Sequence, residues 1–256
     1  MDFVCCCTRV CPNTFVLIFA GLLGYASILV VFPKLVFESN HPLIFAFIGI
    51  IVVASFSMFI WCWITAATMD PGRVKDDLEA RGLLKRIQRG DIPECLRDLP
   101  ICMRCNLPMP VGSHHCEDCN ACMLRYDHHC GVIGQCVADK NMKAFVLSFL
   151  YACIFGVLSS ASGIYCSVNV GDGKTSLTNI LILIASVYSG VISIALGGFG
   201  IGIVIGNAKD MGKITVNYSK FWTLFGDTWM ERLTPNQKNA TFAAWPRIFW
   251  NMDFEP

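Results

Sequence analysis

Four stretches without a charged side chain, residues 12–33, 43–69, 144–171 and 176–206, limit the possible folds more than any other feature of the sequence. Each is long enough to cross about 30 Å of hydrocarbon as a helix, the form in which a lone segment satisfies its own backbone hydrogen bonds in lipid. The first run exceeds the 7–15 apolar residues usual in a signal peptide and has no basic start beyond Arg9, so it reads as a span ending at Pro33. The composition agrees, with 54% hydrophobic and 15% charged residues and a positive mean hydropathy. The expected fold is an all-α integral membrane protein with four transmembrane helices. No Asp, Glu, Lys, Arg or His lies within the four runs, which weighs against a transporter or channel.

The distribution of basic residues orients the spans. Eleven Lys and Arg lie in residues 70–143 and six in the last 50, against one in each short connecting loop, Lys34 and Lys174. The positive-inside rule places both termini and the middle segment in the cytosol. The expected division is a cytosolic N-terminus over 1–13, spans one and two over 14–69, and a cytosolic linker with a cysteine-rich domain over 70–143. Spans three and four follow over 144–206, with a cytosolic tail over 207–256. A net charge of +1 argues against a nucleic-acid partner.

Met69–Gly72, "MDPG", reads as a helix stop. From Arg73 to Arg89 the chain reads as a basic helix interrupted by Gly82. Its side with Val74, Leu78, Leu84 and Ile87 is suited to an anionic leaflet or, equally, to a solvated linker. The tail holds Trp222, Trp229, Trp245 and Trp250 and should pack on the cytosolic domain or at the headgroups. Cys5, Cys6, Cys7 and Cys11 precede the first span, where cysteines are often acylated. The sequence reads as free of internal repeats.

Seven of the fifteen cysteines fall between residues 102 and 136, together with His114, His115, His128 and His129. In a reducing compartment such clustering indicates metal or catalysis rather than disulfides. Two closed tetrahedral zinc sites use eight of these eleven donors and leave three. The consecutive His128, His129 and Cys130 cannot easily all turn toward one ion, so part of the surplus should come from this triplet. A cysteine beside an uncommitted histidine is a nucleophile beside a base.

The ligand ladder from Cys102 to Cys136, its continuation through Asn141 and Phe145, the four spans and the DPG triplet resemble the DHHC protein S-acyltransferases (palmitoyltransferases). The resemblance implies two structural zinc ions, one held by Cys102, Cys105, His115 and Cys122, the other by Cys116, Cys119, His129 and Cys136. It implies that Cys130 attacks a fatty acyl-CoA such as palmitoyl-CoA, with His128 as base and Asp127 orienting it. The acyl group then passes to a cysteine of a cytosolic or membrane-associated protein. Membrane lipids are expected partners, and the resemblance is compatible with an endomembrane (Golgi or ER) or plasma-membrane location. The chain departs from the family pattern at Gly131, Val132 and Gln135, in the uncharged "MPVGS" of Met109–Ser113, and at Thr215–Tyr218, where the family carries T-T-x-E. These departures keep a rival reading in view, a catalytically weak or inactive zinc-stabilised membrane scaffold.

Overall fold

The computed structural model describes residues 3–170, 176–213, 231 and 233–235. The tryptophan-bearing positions of the tail and residues 215–218 lie outside the described residues, as do the side chains of Cys5, Cys6, Cys7 and Cys11. Among the described residues four helices are long and apolar enough to cross a membrane: Asn13–Glu38, Pro42–Thr68, Met142–Asn169 and Leu177–Gly206.

The first span differs from the sequence expectation. Helix α1 (Phe3–Tyr25) passes through a π-helical stretch (Ala26–Val31) into α2 (Phe32–Glu38), so Pro33 begins a helical turn instead of ending the span. Proline lacks an N–H and its ring crowds the carbonyl four residues back. The wider π turn before it absorbs that misfit. The helix ends at Ser39, which is extended. Helices α3 (Pro42–Thr68), α7 (Met142–Asn169) and α8 (Leu177–Lys213) follow the expected spans to within two residues, apart from the overrun of α8 past residue 206.

Two compact units make up the described chain. One is built from Asn13–Ile64 and Val146–Gly206. Its interior joins Phe32, Val52 and Phe155, with the Phe56 and Phe155 rings 5.0 Å apart. A second group joins Val31, Leu35, Phe45, Cys166 and Val170. Small residues let α7 and α8 pack closely. A Cβ added at Gly156 would overlap the Ser193 hydroxyl, and one at Gly190 would lie 2.5 Å from that of Ser160.

The other unit contains Thr65–Phe145. The expected helix over 73–89 is instead two short ones, α4 (Val74–Ala80) and α5 (Leu84–Gln88), parted where Gly82 takes φ +69°. Val74, Leu78, Leu83 and Leu84 are buried with Leu96 of α6 (Glu94–Arg97), Leu107, Leu124 and the thiols of Cys102 and Cys122. The apolar side therefore packs on the cysteine-rich core, which corrects both the leaflet and the solvated-linker readings. Burying each such side chain contributes about 1.5–3 kcal/mol.

Three two-residue or three-residue hairpins follow: β1 (Ile101–Cys102) with β2 (Leu107–Pro108), β3 (His114–Cys116) with β4 (Ala121–Met123), and β5 (His128–Cys130) with β6 (Gln135–Val137). They overturn the reading of a chain without repeats. Cys102, Cys116 and Cys130 recur every fourteen residues, and each pairs with the residue five positions on: Leu107, Ala121 and Gln135. Asn106, Asn120 and Gly134 also recur at this interval, all left-handed at φ 52°, 46° and 71°. The DPG triplet does more than stop α3. Pro71 O accepts from Lys140 N at 3.1 Å and Gly72 O from Leu124 N at 2.8 Å, which ties the end of the second span to the segments after β4 and β6.

Candidate metal centres and active site

Strand alternation sorts the donors. Neighbouring side chains on a strand leave opposite faces, so His115 and Cys116 on β3 join different clusters. His115 Nδ1 lies 3.6, 3.3 and 3.7 Å from the sulfurs of Cys102, Cys105 and Cys122. His129 Nδ1 lies 3.5, 3.4 and 3.8 Å from those of Cys116, Cys119 and Cys136. In each case the histidine and the last cysteine face each other across a hairpin, His115↔Cys122 and His129↔Cys136.

Two clusters result, Cys102, Cys105, His115 and Cys122, then Cys116, Cys119, His129 and Cys136, with each set of donor atoms within 4.8 Å of one another. A tetrahedral zinc with Zn–S near 2.3 Å and Zn–N near 2.0–2.1 Å has S···N edges of about 3.5 Å and S···S edges of about 3.8 Å. The observed N···S separations, and the 3.5 Å between the Cys119 and Cys136 sulfurs, match those edges. Each donor set fits one zinc ion with all four positions filled by protein, the arrangement of a structural site.

The same alternation sends His128 and Cys130 away from His129. His128 Nδ1 is 2.8 Å from Asp127 Oδ2, and His128 shares its face of β5 with Cys130. The Asp127 hydrogen bond, then the neighbouring Cys130 thiol, raises the His128 pKa to about 9 against the opposing effect of burial. Burial pushes the Cys130 thiol up. The His128 imidazole and the nearby backbone amides of Ile133 and Val132 outweigh it and hold the thiol below its ordinary pKa. The geometry is that of a cysteine whose proton passes readily to a carboxylate-held imidazole. His114 lies outside both clusters, its ring 4.9 Å from that of Tyr126.

Several residues that position this centre carry no chemical signal of their own. The Phe145 ring meets the His128 imidazole edge-on at 5.6 Å. Asn141, fully buried, accepts from Ala138 N at 2.9 Å and donates to Cys136 O at 2.9 Å and Ala66 O at 3.2 Å. Gln135, opposite Cys130, donates to Ala66 O at 2.8 Å and Met69 O at 2.9 Å, where α3 leaves carbonyls without helical partners. Spacing alone marked Asn141 and Phe145. Gln135 gave no signal beyond its departure from the family pattern.

Residues 97–215 match the family model described as DHHC palmitoyltransferase. Palmitoyltransferase PFA3 of Gibberella zeae is 29% identical over 162 residues, 59% of this chain and 29% of that protein. Human palmitoyltransferase ZDHHC2 is 31% identical over 127 residues, 42% of this chain and 35% of that protein. A probable protein S-acyltransferase 16 of Arabidopsis thaliana is 28% identical over 225 residues, 81% of this chain and 72% of that protein. The chain spans less than a third of the length of the fungal relatives it matches. The spaced metal donors, the hairpins that pair them and these matches agree: residues 97–215 carry a domain that matches the DHHC palmitoyltransferase model.

Proposed function

We propose that this protein is an S-palmitoyltransferase that carries the acyl group on Cys130. The observation that supports it most is the 2.8 Å Asp127–His128 hydrogen bond, with His128 and Cys130 on the face of β5 opposite the metal donor His129. The Cys130 sulfur attacks the thioester carbonyl of a fatty acyl-CoA. A new S–C bond forms, the bond to the coenzyme sulfur breaks, and the coenzyme leaves as its thiol with the proton that His128 holds. A substrate cysteine then gives its proton to His128 and takes the acyl group, which regenerates Cys130. Asp127 keeps the imidazole oriented and stabilises its charged form. Cys102, Cys105, His115 and Cys122 hold one zinc and Cys116, Cys119, His129 and Cys136 the other. The metal contributes folding energy, because three short hairpins bury little apolar surface.

The acceptors are cysteines of cytosolic or membrane-associated proteins, and residues 70–143 and both termini face the cytosol, in the endomembrane system or the plasma membrane. Nothing lies within 4 Å of a Cβ added at Gly131, so packing does not require the smaller residue there. Purified protein given clickable palmitoyl-CoA should acquire hydroxylamine-sensitive label that Cys130→Ser abolishes. A native chain that holds two zinc ions and takes no label refutes the transferase reading and favours the scaffold.

A further inference from the structure

The turn that carries Cys130 is built like the turns that carry metal donors. Asn106 N donates to Cys102 O at 2.8 Å, and Gly134 N donates to Cys130 O at 2.9 Å. The fifth residue of both turns is left-handed, and both cysteines pair with the residue five positions on. In the first turn the Cys105 amide points at the Cys102 sulfur, 3.5 Å away.

One donor separates them. Cys105 and Cys119 supply the second thiol of the first two turns, and Ile133 stands at that position in the third. Its side chain is 2% exposed, so hydrocarbon fills the place. The fourteen-residue period also shows where further ligands would come from. The first two turns take theirs from the next hairpin, His115 with Cys122 and His129 with Cys136. The corresponding positions for the third are Lys143 and Leu150 on α7, neither a donor for zinc in a cysteine site. Donors remain close by all the same, since His128 shares the β5 face of Cys130 and lies 2.8 Å from Asp127. A thiol, an imidazole and a carboxylate are three of the four ligands that a thiophilic cation needs.

We propose that Ile133 is a specificity-determining residue: by withholding the second thiol of a C-x2-C turn it keeps this turn free of metal and leaves the Cys130 sulfur available to an acyl group. A thiolate bound to zinc shares its lone pair with the metal and is a poorer nucleophile, so one cysteine at this position would convert the reactive turn into a third binding turn. The inference rests on the transferase reading for its consequence, and on the hairpin geometry alone for the metal.

The test is a metal count and an acyl count on the full-length purified chain equilibrated with zinc. The native chain should hold two ions and Ile133→Cys three, with palmitoyl label from palmitoyl-CoA reduced about tenfold or more and recovered when a mild chelator removes the weakest ion. Ile133→Ser, similar in size to cysteine but without a soft donor, should hold two ions and retain label, and Ile133→Cys with Cys130→Ser should return to two. Ile133→His offers a second added donor of different shape. The inference is overturned if neither added donor brings an ion beyond the native count, or if Ile133→Ser loses label as completely as Ile133→Cys, since Ile133 would then act through packing. A third ion in Ile133→Cys beside a native chain that takes no label would support metal exclusion and refute the transferase reading.

Discussion

The tripeptide His-His-Cys occurs twice, at His114–Cys116 on β3 and at His128–Cys130 on β5. In both copies the middle histidine points into a metal cluster and faces a cysteine across the hairpin. The fates of the outer two residues diverge. Cys116 shares its cluster with Cys119, and His114 rests on the Tyr126 ring. Cys130 has Ile133 in place of that second thiol, and His128 has Asp127 where His114 has Ser113. On the function proposed above, the same tripeptide thus supplies a metal ligand in one hairpin and a nucleophile with its base in the other. The difference lies in two neighbours, and the comparison teaches that which donors are missing distinguishes the two hairpins as much as which are present.

The comparison breaks most visibly at the two cysteines. Cys116→Ser should lose the second ion and unfold the cysteine-rich domain, since structural zinc supplies on the order of 10 kcal/mol or more. Cys130→Ser should keep both ions and the native melting behaviour while losing all label. Zinc content, thermal melting and acyl labelling on both variants check this, and equal loss of metal would merge the two hairpins into one class.

Next in size is the residue before each tripeptide. Asp127→Ala should slow acylation about 10²- to 10⁴-fold, the usual contribution of a positioned acid–base group. Ser113→Ala removes only a local hydrogen bond to Pro110 O, 2.7 Å away, and should leave the rate within about twofold. Single-turnover labelling measures both.

A smaller effect is expected at the residues facing the cysteines. Gln135→Leu strands two carbonyls at the end of α3 and should destabilise the domain by about 1–3 kcal/mol. Ala121, its counterpart facing Cys116, should tolerate Ser within about 0.5 kcal/mol, as an ordinary small substitution does. Denaturant melts of zinc-loaded protein compare them. The left-handed turn residues give a contrast of similar or smaller size. Gly134→Ala should cost about 1–2 kcal/mol at φ 71°, whereas Asn120→Gly should be neutral or slightly stabilising.

Much of this arrangement was legible in the sequence, and the failures have physical causes. The four spans followed from charge-free length, because lipid admits few alternatives to a helix. Pro33 misled, since a proline stops a regular helix and the reading had no means of foreseeing a π turn. The apolar side of residues 74–87 was recognised but assigned to the wrong partner, because an amphipathic pattern states that a face is covered and not by what. The repeat went unseen because so few positions recur. Between the second and third copies Cys119 becomes Ile133 and Asn120 becomes Gly134, and what persists is backbone pairing and a left-handed φ.

By itself the sequence determined that the chain crosses a membrane, that its middle segment carries donors for two zinc ions, and that three donors are left over. Those conclusions depend on composition, length and counting, which no folding event alters. Tertiary structure decided which donors converge, through hairpin register and the alternation of strand faces, and it decided that Gln135 and Asn141 fasten the hairpins to the last carbonyls of α3. Contacts between residues some seventy positions apart depend on where the backbone places them, and local sequence carries no record of that placement.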